Sequence, residues 1–236
     1  MRIDKLLSEC GIATRKESAR AAKAGMLLVS GEVVKDVSRH IDPDRESVTY
    51  MGRNIVYKKY VYVMLNKPMG YVSATDDTRL PYVTELLPEE LRKRELFPVG
   101  RLDKDTVGLM ILTNNGALAH TLLSPKRHVE KVYIFKCNEP LPNDVEERYE
   151  NGITLADGYE CKSAKIICDA DRLGGRITLT EGKYHQIKRM VAAVGSRVEF
   201  LERESFAGIP LDRELKRGEW RYLTPDEERL LEDLGK

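Results

Sequence analysis

The sequence predicts an α+β chain in two parts: a small module of two helices with short strands, then a larger strand-rich domain. Three observations carry this. A capping box, Thr14-Arg15-Lys16-Glu17, opens an Ala-rich helix that is followed by a strand–turn–strand pattern. A polar break, Asn54 to Lys59, separates that pattern from the β-branched and aromatic run Tyr60 to Leu65. Beyond it, short apolar runs punctuated by Gly, Asn and Pro recur along the chain. The 236 residues fit one or two domains, and a 42% hydrophobic content is enough to build cores for both. We place the parts at residues 1–58 and 59–236.

In the first part, Arg2 to Glu9 reads as a short helix ended by Gly11, and the second helix runs to Ala24 with Gly25 as its stop. Met26 to Val29, Ser30-Gly31 and Glu32 to Val34 read as strand, turn and strand, and Val48-Thr49-Tyr50 as a last strand. The formal net charge of the chain is only +1, which gives no case for nucleic acid in bulk. Residues 1–60, however, hold twelve Lys or Arg against eight Asp or Glu. Lys16, Arg20 and Lys23 fall at i, i+4 and i+7 and share one helical face. Such a face is either plainly solvated or set to neutralise phosphates.

In the second part, Asn66-Lys67-Pro68 ends the first strand in a turn. The stretch Gly100 to Gly116 reads as a loop carrying a carboxylate, Asp103, feeding a buried strand from Leu109 to Leu112. Arg101 and Lys104 flank Asp103 and favour its charged form. Asp103 is therefore either a salt-bridged loop residue or a group set for attack or proton transfer. Ala117 to Leu123 reads as a helix stopped at Ser124-Pro125. Lys126, Arg127 and Lys131 follow as a basic run fit for the rim of a cleft, and Val132 to Phe135 as a strand. If Val132 and Ile134 fill the core, Tyr133 faces a cleft; otherwise it is a sheet-packing tyrosine.

Pro142 to Tyr149 reads as a helix with Pro in its first turn, and Ile153 to Leu155 and Ala164 to Cys168 as strands of an antiparallel meander. Arg176 to Thr180 alternates as a strand. Ile187, Met190, Val191 and Val194 form an apolar stripe on a helix that begins near Tyr184 and stops at Gly195. Lys188 sits beside that stripe, where a lysine either snorkels to water or meets a buried carboxylate. Thr224-Pro225-Asp226-Glu227 is a second capping box, opening a terminal helix.

No C-x-x-C pair occurs among Cys10, Cys137, Cys161 and Cys168, and the acids Asp76-Asp77 have no third ligand at fixed spacing, so no disulfide framework and no metal are expected. No apolar run approaches the ~20 residues of a membrane span, and the N-terminus MRIDKLL lacks a signal core. A soluble, cytosolic monomer is the expectation.

Four motifs carry a resemblance. Gly100-Arg101-Leu102-Asp103, Thr106, Gly108 and Leu109 match every fixed position of G-R-L-D-x-x-T-x-G-L, the signature of the RsuA/RluA pseudouridine synthases. The patterns L-N-K-P-x-G from Leu65, E-K-x-Y from Glu130, and L-x-x-G-x-x-x-Q-[IV]-[RK]-R-M from Leu179 are similar to further motifs of that family. Met1 to about Val48 resembles an S4-type RNA-binding domain, through R-I-D-K-L-L, the Thr-Arg-Lys helix and V-S-G-E-V-V.

The resemblance implies a catalytic domain with a long mixed, mostly antiparallel sheet, flanking helices and a central cleft. It implies isomerisation of uridine in RNA without cofactor. Asp103 becomes the nucleophile, Lys188 its basic partner, and Tyr133 the residue that stacks on the base and is placed for proton transfer. Leu179 and Ile187 become pocket walls, and Arg101 contacts phosphate or props the emptied stack. Lys188 is Arg in many relatives. The Y-H-Q-I-K-R-M form of the last motif most resembles the RsuA branch, which implies 16S rRNA, within an assembly intermediate, as partner. A 23S rRNA synthase and a non-catalytic RNA chaperone are the rivals.

Overall fold

The computed structural model describes residues 1–236, which divide into two compact units, Met1–Val61 with Leu87–Leu96, and Tyr62–Leu86 with Phe97–Lys236.

The first unit contains α1 (Ile3–Glu9), α2 (Arg15–Lys23), β1 (Leu27–Val29), β2 (Glu32–Val33), β3 (Val48–Tyr50), β4 (Arg53–Ile55) and the one-turn α3 (Glu89–Arg92). The predicted capping box is present: the Thr14 amide donates to Glu17 Oε2 at 2.7 Å, and the Glu17 amide donates to Thr14 Oγ1 at 3.3 Å. The strands form an antiparallel sheet of order β2-β1-β3-β4. Ile3, Leu6, Leu7, Leu27, Val29 and Val48 fill its core.

The sheet runs one strand further than the sequence indicates, because Met51-Gly52 turns with both φ positive and returns Arg53 to Ile55 against β3. Arg53 and Asn54 are exposed on that edge strand, so it reads as polar linker in the sequence.

The second unit continues with β5 (Tyr62–Lys67), β6 (Phe97–Pro98), β7 (Val107–Thr113), α4 (Gly116–Leu123), β8 (Lys131–Cys137), α5 (Val145–Asn151), β9 (Lys165–Cys168) and β10 (Gly174–Leu179). It closes with α6 (Gln186–Ala193), β11 (Val198–Phe206), β12 (Ile209–Pro210), β13 (Trp220–Tyr222) and α7 (Pro225–Leu234). The strands form one nine-stranded mixed sheet with the path β13-β5-β7-β11-β8-β10-β9; β12 adds to β11 and β6 to β7. Every pairing is antiparallel except β7 with β11.

Every residue of β7 is buried, as its unbroken apolar run predicts. Gly108 allows that packing: at φ +99° a Cβ would stand 2.4 Å from the Arg203 carbonyl oxygen on β11. The sequence reading left β11 to β13 unassigned. It also placed a strand at Ile153 to Leu155, where only a Thr154–Glu160 bridge forms, and began α5 at Pro142 rather than Val145. No helix is long and apolar enough to cross a membrane.

Candidate active site

Asp103 sits on the loop between β6 and β7, and that loop rests on a buried lysine. Lys67, the last residue of β5, is fully buried. Its Nζ donates to the backbone carbonyls of Asp103 at 2.9 Å, Thr106 at 2.7 Å and Pro68 at 3.2 Å. Burial pulls the Lys67 ammonium down from the ordinary lysine range to about 8, against the pull of Asp105 and Asp103. The Ser73 hydroxyl clamps the loop from the side, donating to the Leu102 carbonyl at 2.6 Å and accepting from the Leu102 amide at 2.9 Å. The carboxylate is thus carried on backbone whose carbonyls are individually bonded.

Two side chains from one segment grip that carboxylate. Lys188 Nζ, from α6, lies 2.9 Å from Asp103 Oδ2, and His185 Nε2 lies 3.5 Å from Asp103 Oδ1. Lys188 also bonds Asp105 Oδ1 at 2.5 Å. Burial opposes the Lys188 charge, but the bonds to Asp105 and Asp103 outweigh it and raise its pKa. The open alternatives for Lys188 therefore resolve to a carboxylate partner. The helix begins later than its stripe suggests: Tyr184 and His185 precede it, and His185 adopts a left-handed conformation at φ +49°.

Tyr133 stands at the middle of β8, opposite Ile177 on β10 and Arg203 on β11. The condition that Val132 and Ile134 fill the core is not met. Val132 and Ile134 are half-buried, whereas Tyr133 shares the buried face with Phe135 and Cys137. Tyr133 nonetheless lines a cavity of about 750 Å³ that it shares with Asp103, Lys188, Arg101, Leu179 and Ile187. That volume lies inside the range of about 300–1,000 Å³ common to small-molecule sites.

Arg203, also in the wall, is completely buried. Its Nε donates to the Leu109 carbonyl at 2.7 Å, its guanidinium stands 5.2 Å from the Phe206 ring centre, and it interacts with the Tyr133 hydroxyl. Two buried donors in this wall, Arg203 Nη2 and Thr106 Oγ1, have no hydrogen-bond partner.

The basic run is divided. Lys131 lines the cavity but is no solvated rim cation: its Nζ donates to the Val129 carbonyl at 2.8 Å, and burial with the nearby Arg203 charge lowers it to about 8. Lys126 and Arg127 are exposed on the single turn Pro125–Arg127, beside the cavity-lining Ser124 and Pro125 but not in the wall themselves. Lys16, Arg20 and Lys23 are exposed on α2 of the other unit, on one face as spacing predicts. The sequence reading missed Lys67, Ser73, His185 and Arg203. For Lys67 a signal existed, a lysine directly after the apolar run Tyr62 to Leu65 and Asn66. No group of three or more His, Cys, Asp or Glu is placed to hold a metal ion.

The family model described as RNA pseudouridylate synthase matches residues 61–193, and the S4 domain model matches residues 1–46. The chain is 44% identical over 236 residues to an uncharacterized RNA pseudouridine synthase, YtzG, of Bacillus subtilis, covering 99% of each. It is 36% identical over 228 residues to the ribosomal small subunit pseudouridine synthase A of Escherichia coli, covering 96% of this chain and 98% of that one. A crystal structure of a pseudouridylate synthase superposes with a TM-score of 0.69 at 33% identity, covering 98% of this chain and 99% of that one.

Proposed function

Because the chain belongs to the RNA pseudouridylate synthases of RsuA type, with an S4 domain at its N-terminus, we propose that it converts one uridine of 16S rRNA to pseudouridine, with Asp103 initiating the reaction. The N1–C1′ bond breaks, the base rotates, and a C5–C1′ bond forms; C5 loses a proton and N1 gains one. Since nothing is oxidised and no group is donated, the chain's own side chains suffice.

The observation that carries this reading is the Asp103–Lys188 pair, at 2.9 Å, in a cavity shared with Tyr133. A base in folded RNA must leave its stack to reach such a cavity. Tyr133 then stacks on the uracil and stands ready for proton transfer, between the walls Leu179 and Ile187. Arg101, exposed at the mouth, meets phosphate or fills the vacated stack. Residues 1–58 supply RNA affinity through Lys16, Arg20 and Lys23, with Lys126 and Arg127 adding backbone contacts.

The small-subunit assignment draws on the likeness to the Escherichia coli enzyme and on Tyr184-His185-Gln186, where large-subunit branches usually carry N-R-Q. Carbodiimide primer extension on rRNA from cells lacking the protein tests it: one stop should vanish from 16S rRNA, and a stop lost from 23S rRNA instead would refute the substrate. Purified Asp103→Asn should form no pseudouridine while binding RNA within about threefold of wild type, since the change is isosteric and leaves the groove intact. Residual turnover would refute the role of Asp103, and a wild-type protein that binds but never isomerises would favour a chaperone.

A further inference from the structure

Tyr184 is 75% exposed, yet it stands on one of the most tightly bonded turns of the domain. Glu181, buried at the base of the turn, accepts from the Tyr159 hydroxyl at 2.8 Å, from the Lys162 amide at 3.0 Å and from Gln186 Nε2. Gln186 Oε1 in turn accepts from the Lys183 amide at 2.8 Å, and Arg189, itself paired to Asp157, reaches the Tyr184 carbonyl. The backbone beneath Tyr184 is therefore held in place before any ligand arrives.

One ring face of Tyr184 lies on His185, with centroids 3.8 Å apart and planes 17° from parallel. His185 Nε2 points on to Asp103 Oδ1 at 3.5 Å, and both aromatic residues line the cavity. A single imidazole thus separates the carboxylate from a large, rigid and solvent-facing aromatic ring. Exposing that much tyrosine on a fixed turn has no packing return within the domain. Its chemistry suits an unstacked nucleobase, because every base presents a π-face and stacks on such a platform without regard to sequence.

We infer that Tyr184 is the stacking platform for the nucleotide next to the extruded uridine, with His185 fixing its distance from Asp103. This rests on reading the cavity as a uridine site. When the target leaves its helix, the neighbouring base loses a stacking partner, and Tyr184 replaces it. Tyr184 is a positioning residue: its effect falls on RNA engagement rather than on bond cleavage.

The test uses full-length wild type, Tyr184→Phe and Tyr184→Ala. Each is titrated into a single-stranded oligouridylate carrying one 2-aminopurine, whose fluorescence is quenched on stacking. Wild type and Tyr184→Phe should quench it, and Tyr184→Ala should leave it near the free value. In single-turnover tritium release from [5-³H]uridine-labelled 16S and 23S transcripts, Tyr184→Ala should raise the half-saturating concentration about fivefold or more while its limiting rate stays within about twofold. Tyr184→Phe should restore the half-saturation. Quenching that survives in Tyr184→Ala, or is absent from wild type, overturns the inference. A wild type that quenches but releases no tritium from either transcript refutes the isomerase reading and leaves the platform standing.

Discussion

Replacing Lys67 by Met gives a stability change whose size depends on pH. The Lys67 ammonium is fully buried, and its pKa falls from 10.5 to about 8. In the unfolded chain it returns to the ordinary lysine value. Between pH 8 and 10.5 the unfolded state therefore binds more protons than the folded one, so this residue's contribution to stability rises with pH through that window. At 1.36 kcal/mol per pH unit, the drop of 2.5 corresponds to about 3 kcal/mol.

Burying the charge costs most below pH 8, and that cost is relieved as the amine becomes neutral while still able to donate to the loop carbonyls. Lys131 and the surface groups titrate alike in both proteins and cancel in the difference. Urea unfolding from pH 7 to 10.5 reads it, followed by fluorescence of Trp220. This is the one tryptophan of the chain, and it pairs with Leu65 on the strand that ends in Lys67. Wild type minus Lys67→Met should become more favourable to wild type by about 2–3 kcal/mol across the window. A flat difference, or one that falls with pH, would refute the buried-charge reasoning.

The other predictions are briefer. Lys16→Ala with Arg20→Ala should weaken RNA binding and reduce the slope of log K against log salt by about 1.5, measured by filter binding at several salt concentrations; an unchanged slope would return that face to plain solvation. Gly108→Ala should lower the unfolding free energy by about 3 kcal/mol, because the new Cβ meets the Arg203 carbonyl and the φ is strained. Gly158→Ala, at φ +83° but with open space around it, should lose only about 1 kcal/mol and so isolates the steric part. Equal losses at the two glycines would refute the close β7–β11 contact as the cause.

The readable parts of the sequence were those where local chemistry and tertiary environment agree. Both capping boxes formed as spelled, and the buried strand after Asp103 lies where its apolar run put it. Asp103, Tyr133 and Lys188 came together around one cavity, which Tyr133 lines from the buried face that it shares with Phe135. Failures occurred where tertiary context overrides composition. The segment Val198 to Phe206 carries Glu199, Glu202, Arg203 and Glu204 and offers no apolar run to assign it, yet it is a central strand with Arg203 fully buried. That burial is possible only because the Leu109 carbonyl, the Phe206 ring and Tyr133 surround the guanidinium, and none of these is a sequence neighbour except Phe206. His185 was hidden for another reason: helical periodicity ran straight through it, and the left-handed turn that aims its ring at Asp103 leaves no mark in hydrophobic spacing.

The position of β11 in the sheet has a temporal consequence. It lies between β7 and β8, and it is the later of the three in the chain. Until residue 206 has been synthesised, the strand leading from Asp103 and the strand bearing Tyr133 have no shared neighbour to bring them side by side. A nascent chain can thus carry Asp103, Tyr133 and Lys188 before the strand that joins β7 to β8 exists. Completing the site therefore requires a strand that is made after all three of these side chains.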